Sequence, residues 1–167
     1  MKKLFTILAF AAMTLTTSAQ DLKTFDCALF TCQYPADFEA QEQWMDEAFN
    51  AKSNDEVGFL SVTITDQDMT ADQLKEWADG MKMMTESSFG EPTGWKAGAP
   101  ELKGKQVIFR AEGEEEIDDA KVPAVKYVYC IVTPEKKCFS GEPKFKKADE
   151  AKYKPLLDKI FASCKAK

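Results

Sequence analysis

Tyr153-Lys154-Pro155-Leu156-Leu157-Asp158-Lys159-Ile160-Phe161-Ala162-Ser163-Cys164 is the stretch on which the fold turns. Its apolar residues, Tyr153, Leu156, Leu157, Ile160, Phe161 and Cys164, recur at i, i+3, i+4, i+7, i+8 and i+11. On a helix of about 3.6 residues per turn they share one face. Such a helix needs an apolar surface to cover. Pro155 is expected in its first turn, where a missing N–H costs little.

The surface it covers is legible upstream. In Val57–Thr65, Leu60, Val62 and Ile64 alternate with Ser61, Thr63 and Thr65, the pattern of a half-buried strand. Lys23 to Tyr34 reads as one strand stopped by Pro35, with Phe30, Cys32 and Tyr34 on one face and Leu29 on the other. Further strands are expected at Gln106–Ala111, at Val122–Thr133 and, after a turn at Thr133-Pro134-Glu135, at Lys137–Gly141. Trp44, Met45, Ala48 and Phe49 fit one helical face, but Ser53-Asn54-Asp55-Glu56 reads as a turn between strands. Residues 39–52 are therefore assigned as the hairpin partner of the Val57–Thr65 strand. A second helix begins at the capping box Thr70-Ala71-Asp72-Gln73 and places Leu74, Trp77, Ala78, Met81 and Met84 on one face. Gly80 lies inside that helix, and Gly90 and Pro92 close it.

This order defines a single α+β domain, an antiparallel sheet of about six or seven strands flanked by two main helices. The strand running into Tyr34-Pro35-Ala36-Asp37-Phe38, the Val57–Thr65 strand, the Thr70-capped helix and the Tyr153–Cys164 helix resemble the PsbP-like fold. That fold is an α/β/α sandwich shared by photosystem PsbP proteins, Ran-binding Mog proteins and DcrB-type exported bacterial proteins. Members often follow Tyr-Pro with glycine and tryptophan, where this chain has Asp37 and Phe38. The resemblance spans nearly all of residues 23–164 as element order. It implies an adaptor that docks on a larger assembly, and it transfers no functional residue by position.

The first nineteen residues read as a secretory signal peptide. Lys2 and Lys3 precede the apolar run Leu4–Leu15, and Thr17 and Ala19 supply the small residues before a cut ahead of Gln20. The run is shorter than the roughly 20 residues that cross a bilayer. The expected mature chain, 20–167, carries 20 basic and 28 acidic residues, a net −8. It is read as exported, periplasmic or secreted, monomeric, and without stable membrane insertion. Its acidity opposes nucleic-acid binding, which neutralises phosphates. The charge is split: residues 20–135 sum to −14 and residues 136–167 to +6. Such a split either steers a charged partner or is compensated internally.

The chain has no histidine, hence no imidazole base, no imidazole metal ligand and no Ser-His-Asp triad. It has no glycine-rich phosphate loop. The expectation is a protein without enzymatic activity and without a cofactor: a binding or adaptor module of the cell envelope, with an envelope protein as partner. The alternative is a small-ligand or calcium-binding envelope protein. For a metal, the acidic run offers Glu114, Glu115, Glu116, Asp118 and Asp119, with Glu112 nearby, because calcium takes six to eight oxygen ligands. The run lacks EF-hand spacing. Met69, Met81, Met83 and Met84 could offer thioethers to copper(I), although methionine more often fills core space. For a ligand, Trp95 in a Gly/Pro-rich loop, Lys96 beside it and Arg110, the chain's only arginine, are the candidates. The competing role for Trp95 is to cover one end of the sheet. Trp44 and Phe89 also stand outside evident core positions.

Export permits disulfides. Of the five cysteines, Cys130 and Cys138 flank the Pro134 turn symmetrically and are the disulfide candidate; the alternative is buried free thiols. Cys27 and Cys32, five apart in one strand, are expected on opposite sides. No Cys-x-x-Cys is present.

Overall fold

The structure, a computed structural model, describes residues 22–43 and 45–167. The expected signal peptide and Trp44 lie outside the described residues.

Leu22–Asp26 (β1) and Phe30–Pro35 (β2) form an antiparallel hairpin. The region read as one strand therefore reverses at Cys27–Leu29, where the Cys27 N–H donates to the Phe30 carbonyl at 3.1 Å. No Gly, Pro or Asn marks this turn, so nothing local announces it. Packing accounts for it: Phe25 returns to stack on Phe49 at 4.1 Å. Cys27 consequently sits in a turn and not on a strand opposite Cys32. Phe38–Ala40 (β3), Ala48–Ser53 (β4) and Phe59–Thr65 (β5) follow as a meander.

Helix α1, Ala71–Glu86, starts at the expected capping box: Thr70 Oγ1 accepts from the Gln73 N–H, and Gln73 Oε1 accepts from the Thr70 N–H. Ser87–Ser88 (β6) and Glu91–Pro92 (β7) make a minimal hairpin. Lys96–Ala97 (β8) and Glu101–Lys103 (β9) lead to the long central hairpin, Gln106–Ile117 (β10) and Ala120–Val132 (β11). Cys138–Gly141 (β12), Lys144–Lys146 (β13), a 3-10 turn at Lys147–Asp149, helix α2 (Glu150–Ser163) and Lys165–Ala166 (β14) complete the chain.

The main sheet is antiparallel, in the order β3-β4-β5-β12-β11-β10-β8. β13 bridges β11 and β5, and β9 lies along β10. Alternation along β11 separates the two faces. Val125, Tyr127 and Tyr129 point toward α2, whereas Ala124, Cys130 and Val132 join the clusters on the α1 side. α2 buries five residues of the sequence stripe, and the sixth, Cys164, is buried just past its end. Phe161 stacks on Tyr129 at 4.2 Å. Gly141 makes room for it, since a Cβ there would lie 2.7 Å from the Phe161 ring. A second sheet, β1-β2-β14, packs beside α2 and adds Phe30, Cys32 and Tyr34 to the same core.

Two helical details differ from expectation. α2 begins at Glu150, so Pro155 lies in its second turn and not its first. Pro155 is exposed, and so is Ala151, whose carbonyl it cannot bond. On α1 the buried stripe is Leu74, Ala78 and Thr85, with Trp77 and Met81 half-buried. Met84 is 66% exposed. At about 100° per residue, Thr85 falls in line with Leu74 and Ala78, and Met84 falls off that line.

Candidate functional site

The three ligand-binding candidates are not brought together. Trp95 is buried: its ring lies over Gly113, where a Cβ would come within 2.5 Å. Val57, Ala111 and Ala124 complete its surroundings, and Lys126 Nζ lies 4.6 Å from the ring centroid. Burial lowers the Lys126 pKa. Trp95 thus covers the end of the sheet that α1 leaves open. Lys96 is exposed in β8, paired with Glu112 across the ladder.

Arg110 belongs to the opposite face. It is paired with Tyr127 in the β10–β11 register and reaches the start of α2. Its Nε and Nη2 donate to the two carboxylate oxygens of Glu150 at 2.6 and 2.7 Å, a forked contact. Nη1 donates to Glu112 at 2.5 Å, and the Tyr127 hydroxyl donates to Glu150. The Arg110 guanidinium, together with the Tyr127 hydroxyl, brings the Glu150 pKa down to about 2. Burial and the Glu150 carboxylate push the Tyr127 pKa up. The sole arginine is occupied as a strut between the sheet and α2.

The acidic run is not a loop. Glu112–Ile117 continues β10, and only Asp118 and Asp119, both in the left-handed region with φ of 50° and 63°, form the turn. Alternation puts Glu112, Glu114 and Glu116 on one face and Glu115 on the other. Glu115 meets Lys144 at 2.7 Å, Glu112 meets Lys147 at 2.8 Å, and Glu114 lies 3.6 Å from Lys121. Among the described residues, no three acidic or cysteine side chains are grouped as metal ligands. Glutamate is a poor strand former, so these residues read locally as a loop; pairing with β11 overrides that.

The charge split closes on itself in the same way. Lys136, Lys137, Lys144, Lys146, Lys147, Lys152 and Lys167, all in the basic stretch, pair with Asp68, Asp66, Glu115, Asp55, Glu112, Asp37 and Asp26 of the acidic one.

Cys130 and Cys138 lie on the same face with their sulfur atoms 2.8 Å apart. They are diagonal and not opposite, because the register pairs Cys138 with Val132 and Cys130 with Ser140. Of the methionines, Met69 is buried and Met81 half-buried.

Leu29, Met45 and Leu102 are moderately exposed at scattered places, whereas the most exposed large apolar side chains lie close together in sequence. Met83 and Met84 in the last turn of α1 are 67% and 66% exposed, and Phe89 in the β6–β7 hairpin is fully so. Phe89 and Gly90 form the two-residue turn, with φ of 51° and 86°. Positive φ at both positions suits Asn-Gly or Gly-Gly; a phenylalanine there is strained. Gly90 alone signals the turn in the sequence. Thr93 ties the hairpin down, its N–H donating to the Glu86 carbonyl at 3.0 Å. Beside α2 runs an open groove of about 650 Å³, lined by Gln106, Ile131, Pro134, Asp158 and Phe161 among others.

The fold is PsbP-like: an antiparallel sheet between helices, in one domain. Two solved structures share it at low identity. The solution structure of cyanobacterial PsbP (CyanoP) from Synechocystis sp. PCC 6803 is 13% identical and superposes with a TM-score of 0.53, covering 91% of this chain and 96% of that one. The Ran-binding protein Mog1p of Saccharomyces cerevisiae is 11% identical, with a TM-score of 0.56 and coverage of 88% and 96%. No protein family and no curated protein matches the sequence itself.

Proposed function

We propose that this chain is an exported, non-enzymatic docking module that engages a protein partner through the end of α1 and the β6–β7 hairpin. The observation that carries the proposal is Phe89: a large apolar side chain, fully exposed, held in a left-handed turn that asparagine or glycine would fill more easily. With Met83 and Met84 it puts three exposed apolar side chains within seven residues. Such a concentration marks an interaction site, and aromatic residues anchor interfaces. Glu86 and Glu91 flank the tip, so the matching surface is an apolar pocket with a basic rim. The same acids oppose docking on an anionic lipid surface. One protein with this fold is named for binding Ran, which fits a docking role for the scaffold. The absence of histidine and the single leader-like N-terminus support the other two parts.

The test is Phe89→Asn, which suits the backbone. Wild-type and variant chains are crosslinked in the envelope fraction, and the recovered partner is identified by mass. One defined partner held by the wild type and lost from Phe89→Asn is the expected result. Equal recovery with both chains refutes this docking surface.

A further inference from the structure

We infer that Cys32 and Cys164 are joined by a disulfide in the mature protein, fastening the small N-terminal sheet to the end of α2. The register carries this. β14 pairs with β2 through Lys165↔Thr31 and Ala166↔Phe30, which places Cys164, one step back, directly opposite Cys32. The next step is also fixed, since the Gln33 N–H donates to Ser163 Oγ at 2.7 Å. Residues directly opposite in an antiparallel ladder have Cα atoms about 4.5–5.5 Å apart, within the span a disulfide bridges. Both side chains are buried in the same core cluster, Cys32 at 1% and Cys164 at 8% exposure.

The sequence does not signal this pair, because 132 positions separate the two residues and β14 is only two residues long. The cysteines now divide by position. Cys130 contacts Cys138, Cys32 faces Cys164, and Cys27 is left over in the β1–β2 turn. The Cys32–Cys164 link has a mechanical reason. β14 holds to β2 by two ladder pairs only, so its backbone pairing alone fastens it weakly.

The chemistry is thiol–disulfide exchange with a small-molecule or protein disulfide as oxidant. One cysteine thiolate attacks the oxidant, forms a mixed disulfide and releases one thiol. The second thiolate then displaces the other, forming the Cys32–Cys164 bond. Two electrons and the two thiol protons leave, and the oxidant ends as two thiols. In the folded chain the contact with Cys164 and burial push the Cys32 thiol up, which makes it a poor nucleophile. Both sulfurs are closed off from an oxidant in the folded chain, so the bond forms before the core closes.

The test begins with protein isolated from its own host, denatured in an alkylating agent without reductant and digested. A linked peptide pair containing Cys32 and Cys164, with Cys27 alkylated, is expected. Alkylated Cys32, or Cys32 linked to Cys27, overturns the assignment. Refolding supplies the second arm. In a Cys130→Ala/Cys138→Ala background, folding with oxidised glutathione should raise the melting temperature by about 5–15 °C over folding with reduced glutathione. An unchanged midpoint would also sink the proposal. If that background does not fold, the wild-type chain with Cys164→Ala as control gives the same comparison.

Discussion

The two faces of the main sheet are built unequally. Toward α2, twenty of the described buried residues form one cluster, rich in aromatic rings. Toward α1 the described core has groups of seven and four, with Phe109 and Val128 buried on the same face, and Trp77 is only half-buried. One face holds the fold together, and the other leaves apolar side chains free at its edge. Dense packing and exposed apolar side chains thereby lie on opposite sides, so a change on one need not disturb the other.

Truncating one aromatic on each face tests this inequality most directly. Phe161→Ala removes a ring stacked on Tyr129 in the larger core and should cost about 4 kcal/mol. Trp77→Ala, on the half-exposed flank of α1, should cost no more than about 2 kcal/mol, since less of its surface is buried. Urea unfolding of both variants decides it. Equal losses would mean that the α1 face carries as much of the stability as the α2 face.

Gly113→Ala probes a tightly fitted place on the α1 side. A Cβ would meet the Trp95 ring, and overpacking of this kind costs about 2 kcal/mol. Trp95 should become more solvent-accessible, read as a red shift of its fluorescence. A normal melting temperature with unshifted emission would show that Trp95 is not seated on Gly113.

Arg110 links the two long strands to α2, and its effect should be smaller and dependent on pH. Both partners are partly solvated, so Arg110→Ala should cost about 1–2 kcal/mol at neutral pH. The Glu150 pKa is depressed, from an ordinary 4.5 to about 2. Its contribution is therefore complete above the unfolded value and is lost as pH falls through the folded one. The difference between wild type and Arg110→Ala should be constant above about pH 5 and vanish toward pH 2. A difference that grows as pH falls would contradict the forked pair.

How much of this was legible follows from what each element depends on. The α2 stripe, the Leu60-Val62-Ile64 strand and the Thr70 capping box are local patterns, and each appears where the spacing puts it. The β1–β2 reversal, the strand nature of Glu112–Glu116 and the burial of Trp95 depend on partners distant in sequence. Composition misled at the first two, where glutamates read as a loop and a turn without glycine or proline read as strand; for Trp95 it left a ligand site and a cover for the sheet both open, and the structure shows the cover. Arg110 was visible as a ligand candidate, but the carboxylate it holds lies forty residues away. Phe89 was visible only as an aromatic outside the core pattern. Its left-handed backbone, which gives it meaning, is a property of the folded hairpin.

That backbone makes Phe89 the most discriminating position despite the smallest expected effect on stability. A non-glycine residue in the left-handed region costs about 1 kcal/mol or more, and asparagine bears it best. Phe89→Asn removes a fully exposed ring that contributes no burial, so it should raise stability by up to about 1 kcal/mol. Most truncations of a large apolar residue destabilise, and Phe161→Ala on the other face should do so strongly. Opposite signs for two phenylalanines would locate structural burial at one and an exposed, strained display at the other. A loss of stability in Phe89→Asn would instead mean that the ring packs against the molecule, and the case for a docking tip would fall with it.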